Sequence, residues 1–123
     1  MNIFIILGSL NAFLAVSLDA LGTHALKTQL TAHHMLAVYQ TSIQYHLIHS
    51  IGLLCIGILV HKWPTMLYIK LAGWSLALGI VLFSGSLYVL SISGTHNLSF
   101  ITPFGGFAFL LGWMLLTIAA FKA

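Results

Sequence analysis

Four long apolar stretches, separated by short polar links, restrict this chain more than any other feature. They cover about residues 3–21, 33–60, 68–92 and 102–121. Crossing a hydrocarbon core about 30 Å thick takes roughly 20 helical residues at 1.5 Å each. Only five of the 123 side chains are charged, namely Asp19, Lys27, Lys62, Lys70 and Lys122. Charged residues make up 4 % of the chain, against roughly 25 % in ordinary soluble domains. Five charges cannot clothe a soluble surface, so the main solvent is lipid. Inside lipid each backbone polar group needs an internal partner, and a helix supplies one for every residue. The expected fold is therefore all-α: a single membrane-embedded four-helix bundle spanning residues 1–123, up-down-up-down with short loops.

The links carry the punctuation. The first stretch lacks a basic leader and a clean small-x-small cleavage site, so a retained membrane helix is expected over a signal peptide. Gly8, Ala12 and Ala15 put small residues at helical spacing, which lets a neighbouring helix come close, with Asn11 hydrogen-bonding into the bundle. Gly22 reads as a helix stop. Ala25, Leu26 and Leu30 suggest a short interfacial turn, and Thr31 an N-cap for the second helix, with His33 and His34 in its first turn. Trp63 and Pro64 close that helix. Gly73, Ser75, Ala77 and Gly79 line the third helix with small residues. Ser93 to Asn97 form a turn. Thr102 followed by Pro103 predicts an N-cap and a first helical residue, and Gly105-Gly106 an intimate approach to another helix.

The lysines indicate orientation. Lys62, Lys70 and Lys122 fall on the side holding both termini, and Lys27 alone on the other, which predicts cytoplasmic termini. The net charge of +3 comes from scattered lysines, so no nucleic-acid partner and no polybasic run for anionic lipid is read from it. Cys55 has no partner cysteine and reads as a small buried hydrophobe. The bilayer is the expected partner, joined by another membrane protein or a second copy through the small-residue helix faces.

Most of the polar chemistry lies in the first half of the second stretch, Tyr39 to Ser50. At about 100° per residue, Tyr39, Ser42, His46, His49 and Ser50 share one arc, and Gln40 and Gln44 form a second strip. Such groups are costly against hydrocarbon and are expected to face protein, water or a ligand. A second polar island is Phe83-Ser-Gly-Ser-Leu-Tyr88, where Ser84 and Tyr88 share a face.

These motifs resemble a known family. Gly22-Thr-His-Ala-Leu-Lys27 resembles the G-x-H-x-L-K element of the YgdD/YwdK family of bacterial inner-membrane proteins, which includes animal transmembrane protein 256. Gln44-Tyr45-x-x-x-His49 is similar to its Q-Y-x-x-x-H element. Phe83 to Tyr88, and Ile101 to Gly106 followed by Gly112-Trp113, are similar to its other signatures. The match covers nearly the whole chain in order. It implies a small multi-helix membrane protein carrying a domain of unknown function, in the inner membrane. Asp19 and His46 depart from the family pattern and carry no family-wide meaning.

Three uses of the polar residues follow. The first is structural or accessory: a network of His24, Gln44, Tyr45, His46, His49, Ser84, Ser86, Tyr88 and Thr102 near the outer face that sets helix register. Interhelical hydrogen bonds in membranes are worth about 0.6–2 kcal/mol each, and several together select one packing. The second is a ligand site. His46, His49 and His24 would hold a metal; a haem would need His24 or His96 to oppose His46 or His49 across its two faces; or a quinone-like lipid would lie among Tyr39, Tyr45, His46 and Tyr88. The third is proton or small-solute passage through the histidines. Catalysis has the least support, because Asp19 is the only carboxylate and no Ser-His arrangement has a third member. The reading adopted is a structural or accessory membrane protein, not an enzyme, without a cofactor or metal.

Overall fold

The computed structural model describes residues 1–123. Six α-helices and one π-helical turn make four membrane-length rods. These are α1 (Ile3–Thr23), α3 (Leu36–Lys62), the rod Leu67–Ser93, and α6 (Thr102–Lys122). A short helix, α2 (Lys27–Ala32), lies between the first two rods. The third rod is α4 (Leu67–Gly79), a π turn (Ile80–Ser84) and α5 (Gly85–Ser93).

Local chemistry sets the ends. The Asn2 side chain accepts from the Ile5 amide at 3.3 Å and donates to the Gly57 carbonyl at 2.8 Å. One residue thereby caps α1 and ties it to the far end of α3. Pro64 follows α3 and cannot continue it. Gly94 adopts φ 73° after α5, a left-handed stop that glycine takes without steric cost. Pro103 sits in the first turn of α6.

The rods pack in chain order, α1 on α3, α3 on the third rod, and that rod on α6. Small residues decide how closely they meet. A Cβ on Gly8 would lie 2.8 Å from both the Ser50 carbonyl oxygen and the Leu54 amide nitrogen, so α1 and α3 touch backbone to backbone. Gly112 packs in the same way on Leu76 and the Ala72 carbonyl of α4. The Ser75 hydroxyl donates to the Ala108 carbonyl at 2.6 Å across that seam. The central core is built on Phe4, Leu53, Ile56, Leu76, Ile80 and Phe109. Outward faces carry large apolar side chains such as Phe107, Leu110 and Val81, as a lipid-facing surface requires.

Several expectations need correction. The second helix starts at Leu36, not near residue 33. Thr31 lies inside α2 and its hydroxyl donates to the Lys27 carbonyl, so it caps nothing. His33 ends α2, and His34 has a left-handed backbone, φ 54°. Leu30 is fully buried beside Tyr39 and Ile43, so α2 plugs the bundle instead of floating at the interface. Gly22 lies within α1, pressed on the Tyr39 ring, and the helix runs on to Thr23. Thr102 is the first helical residue and not the cap. Cys55 is exposed toward lipid. Gly8, Ala15, Gly73, Gly79, Gly105 and Gly112 are buried inside the bundle, so these small residues serve packing within the chain.

The π turn was not foreseen. Its wider i→i+5 geometry brings the backbone of Phe83 against Gly105 of α6. A Cβ on Gly105 would overlap the Phe83 backbone, whereas one on Gly106 would meet only the Phe83 ring at 4.0 Å. Gly105→Ala is expected to cost about 1–3 kcal/mol of stability, as overpacked cores do. Gly106→Ala should change little. Thermal unfolding of the two variants in detergent checks the contrast.

Candidate functional site

Helix α3 carries the polar residues on the side facing its neighbours. Tyr39, Ser42, His46, His49 and Ser50 are all buried, which follows from their shared arc. Gln40 and Gln44 lie on the exposed side. The buried residues divide among three partners.

The first group joins α1, α3 and α5. The Asn11 amide nitrogen donates to the Leu7 carbonyl at 2.8 Å. That turns its oxygen toward His46 Nε2, 3.0 Å away. An amide oxygen only accepts, so Nε2 carries the proton. His46 Nδ1 then accepts from the Tyr88 hydroxyl at 2.9 Å. Tyr39 packs edge-on against Tyr88 with ring centroids 5.5 Å apart, and its hydroxyl donates to the Leu18 carbonyl. The hydrogen-bond chain from Tyr88 ends on the Leu7 carbonyl.

The second group ties α3 to the third rod and the third rod to α6. Ser42 donates to the Ser84 carbonyl at 2.8 Å, and Ser84 returns a bond to the Ser42 carbonyl at 3.2 Å. Ser84 is the last residue of the π turn. Ser86 donates to the Phe83 carbonyl at 2.9 Å, so the Thr102 hydroxyl, 2.6 Å away, donates to Ser86.

The third group joins α3 to α6. Trp113 Nε1 donates to His49 Nε2 at 3.0 Å. An indole nitrogen only donates, so the His49 proton lies on Nδ1, which meets the Tyr45 carbonyl at 2.6 Å. The His49 ring stacks on Phe109 at 3.6 Å between centroids and 10° between planes. Tyr45 and Phe83 complete the aromatic wall, 4.7 Å apart. Together with Ile48 these side chains border a groove of about 590 Å³ that opens between α3 and α6.

The expected single network is therefore corrected to three separate groups of contacts. His46, Tyr88, Ser84, Ser86, Thr102 and His49 each take part in one of them. Tyr45 contributes its carbonyl and ring, but its side chain is partly exposed. His24 and Gln44 are exposed and form no side-chain hydrogen bond, because His24 caps the end of α1 and Gln44 faces away from the other rods. The expected metal set of His24, His46 and His49 is not assembled. His46 and His49 point to different neighbours, and both nitrogens of each ring are engaged. No group of three or more His, Cys, Asp or Glu side chains converges anywhere in the fold. The Tyr45 ring packs with His49, Phe83 and Phe109, whereas Tyr39, His46 and Tyr88 pack on one another, so the expected quinone-like site among those four does not form. Neither Ser84 nor Ser86 meets His49. Trp113 and Asn11 are the partners missing from the expected site. Asn11 was legible as a polar residue in an apolar run; Trp113 stood only as part of a family signature.

The sequence comparisons agree with this architecture. The family described as "Protein of unknown function (DUF423)" matches residues 18–106. The chain is 44 % identical over 122 residues to the UPF0382 membrane protein YwdK of Bacillus subtilis, covering 99 % of this chain and 98 % of that protein. It is 43 % identical to the UPF0382 membrane protein SSP2132 of Staphylococcus saprophyticus, covering 99 % of each. The chain belongs to the DUF423 family. No solved structure matches it. The DUF423 match takes in His46, His49, Ser84, Tyr88 and Thr102 and leaves Asn11 and Trp113 outside.

The hydrogen-bond assignments have a spectroscopic consequence. His46 should be the Nε2-protonated tautomer and His49 the Nδ1-protonated one. In nitrogen-15 correlation spectra of histidine-labelled protein in detergent, the signals of His46 and His49, assigned among the seven histidines by His→Gln substitution, are expected to show one ring of each kind. Two rings of one kind would mean that the Asn11 or Trp113 contact is absent.

Proposed function

We propose that this chain is a structural or accessory protein of the bacterial inner membrane and not an enzyme. The observation that carries this reading is the completeness of internal pairing: no buried side-chain polar atom lacks a hydrogen-bond partner. Catalytic and ligand-binding groups keep an open position for a substrate, whereas His46 and His49 spend both ring nitrogens on neighbouring residues. Side-chain hydrogen bonds between four pairs of rods act as register pins in a medium where apolar packing alone discriminates poorly between helix faces.

Both termini are assigned to the cytoplasm, because Lys62, Lys70 and Lys122 share that end and Lys27 lies at the other. A partner, whether another membrane protein or a second copy, would meet the large apolar side chains of the outward faces. A second reading, binding of an apolar ring-bearing lipid, is favoured by the aromatic groove between α3 and α6. It replaces the earlier quinone-like site with a different set of walls.

Elemental mass spectrometry and visible absorption of the purified protein, beside a His49→Ala variant, test the structural reading. A metal-free, colourless protein is expected. The variant should lose about 1–3 kcal/mol, because the Trp113 indole N–H loses its acceptor on a helix face where lipid offers no replacement. Stoichiometric metal or an absorption band lost in the variant would overturn the reading. For orientation, a fluorescent-protein fusion at the C-terminus is expected to glow and a periplasmic phosphatase fusion there to be inactive. The reverse pattern would invert the assignment.

A further inference from the structure

The end of the bundle that holds both termini carries three lysines from three different rods. Their environments differ. Lys62 places its ammonium over the Trp63 ring at 4.7 Å, and Lys122 places its own over Tyr68 at 5.6 Å. Lys70 has no such seat. It borders a basin of about 630 Å³ between the start of α1, the end of α3 and the start of α4.

The basin has donors without acceptors. The side chains of Lys70, His61 and Trp74 border it, all three are exposed, and none makes a hydrogen bond or ion pair within the chain. The one neighbouring amide, Asn2, is already committed to the Gly57 carbonyl and the Ile5 amide. No carboxylate side chain balances them, because Asp19 lies at the opposite end of α1. The remaining walls are apolar, with Ile3, Phe4 and Val60 beneath the polar mouth. Trp74 packs edge-on against Phe4 at 5.2 Å, which holds its ring in the wall. A group that fits must be negative, accept several hydrogen bonds, and continue into an apolar body.

We infer that this basin binds the headgroup of an anionic phospholipid from the leaflet on the terminal side. The phosphate lies against Lys70, His61 and the Trp74 indole N–H, and the upper acyl chain lies over Phe4 and Val60. Basic pockets between membrane helices bind anionic headgroups by the same combination of charge and apolar floor. A free phosphate would satisfy the donors but would leave the apolar walls unused.

Native mass spectrometry of the full chain, released from micelles holding equal amounts of dioleoyl phosphatidylglycerol and dioleoyl phosphatidylcholine, tests this. The wild type is expected to retain phosphatidylglycerol over phosphatidylcholine by about fivefold, the effect of one lysine near an anionic surface. Lys70→Gln should bring the ratio close to one, and Lys70→Arg should keep it. Trp74→Phe, which preserves the ring and deletes the N–H, should lower it. Lys122→Gln should leave it unchanged. Circular dichroism of each variant establishes that the helices are intact, and the exposed position of Lys70 makes unfolding of its variants unexpected. Equal retention of the two lipids by the wild type would overturn the site. So would an unchanged preference in Lys70→Gln, or the same loss in Lys122→Gln, which would point to general charge. Displacement of phosphatidylglycerol by millimolar inorganic phosphate would also overturn it, in favour of a phosphate site.

Discussion

The pairing of His46 with Asn11 and Tyr88 is the contact on which the rest of the bundle depends. It crosses three rods, and hydrocarbon offers no replacement for any member. An unpaired imidazole or phenol in lipid costs far more than the same group in water, because no solvent takes over the lost bond. The Asn11 amide is itself fixed by the Leu7 carbonyl, so the direction of the whole chain of bonds is set from α1. Any rotation of α1 on α3 would break the His46 contact and separate Gly8 from the Ser50 carbonyl at the same time. Polar pairing and close backbone approach therefore select the same register.

The π turn performs a related task on the other side. The extra residue of the π turn rotates the face that Ser84 and Tyr88 share, as one unit, relative to the residues of α4. The wider turn lets Ser84 exchange bonds with Ser42 while Tyr88 reaches His46. It also presents the Phe83 backbone to Gly105, which brings α6 close enough for Ser86 to meet Thr102. One irregular turn thus serves both neighbours of the third rod.

The two ends of the molecule differ in kind. The end away from the termini is closed by α2, whose Leu30 is buried and whose Gln29 and His33 reach the Ile92 and Ser91 carbonyls. The terminal end is open, with a basin whose donors have no acceptor inside the chain. In the middle, polar groups are spent on one another. Structural pairing and an unspent donor set therefore occupy different depths of the same bundle, and a role for one does not constrain the other.

Sequence alone determined the membrane class, the four rods and most of their ends, because hydrocarbon thickness and helix rise leave no other use for such long apolar runs. It also determined that Tyr39, Ser42, His46, His49 and Ser50 share a side, since helical periodicity does not depend on neighbours. Ser84 and Tyr88 were legible as one face for the same reason. Only the tertiary structure decided which neighbour each of these residues meets. His46 and His49 are three apart, yet one turns to α1 and α5 and the other to α6, because rods lie on both sides of α3. Gln44 lies on a second polar strip and His24 in a link, but periodicity cannot say which strip faces lipid or where a link turns. The π turn was illegible because its cause lies in partners on two other rods. The lysine basin was illegible too, since charges scattered along the chain become a site only when the rods bring their ends together.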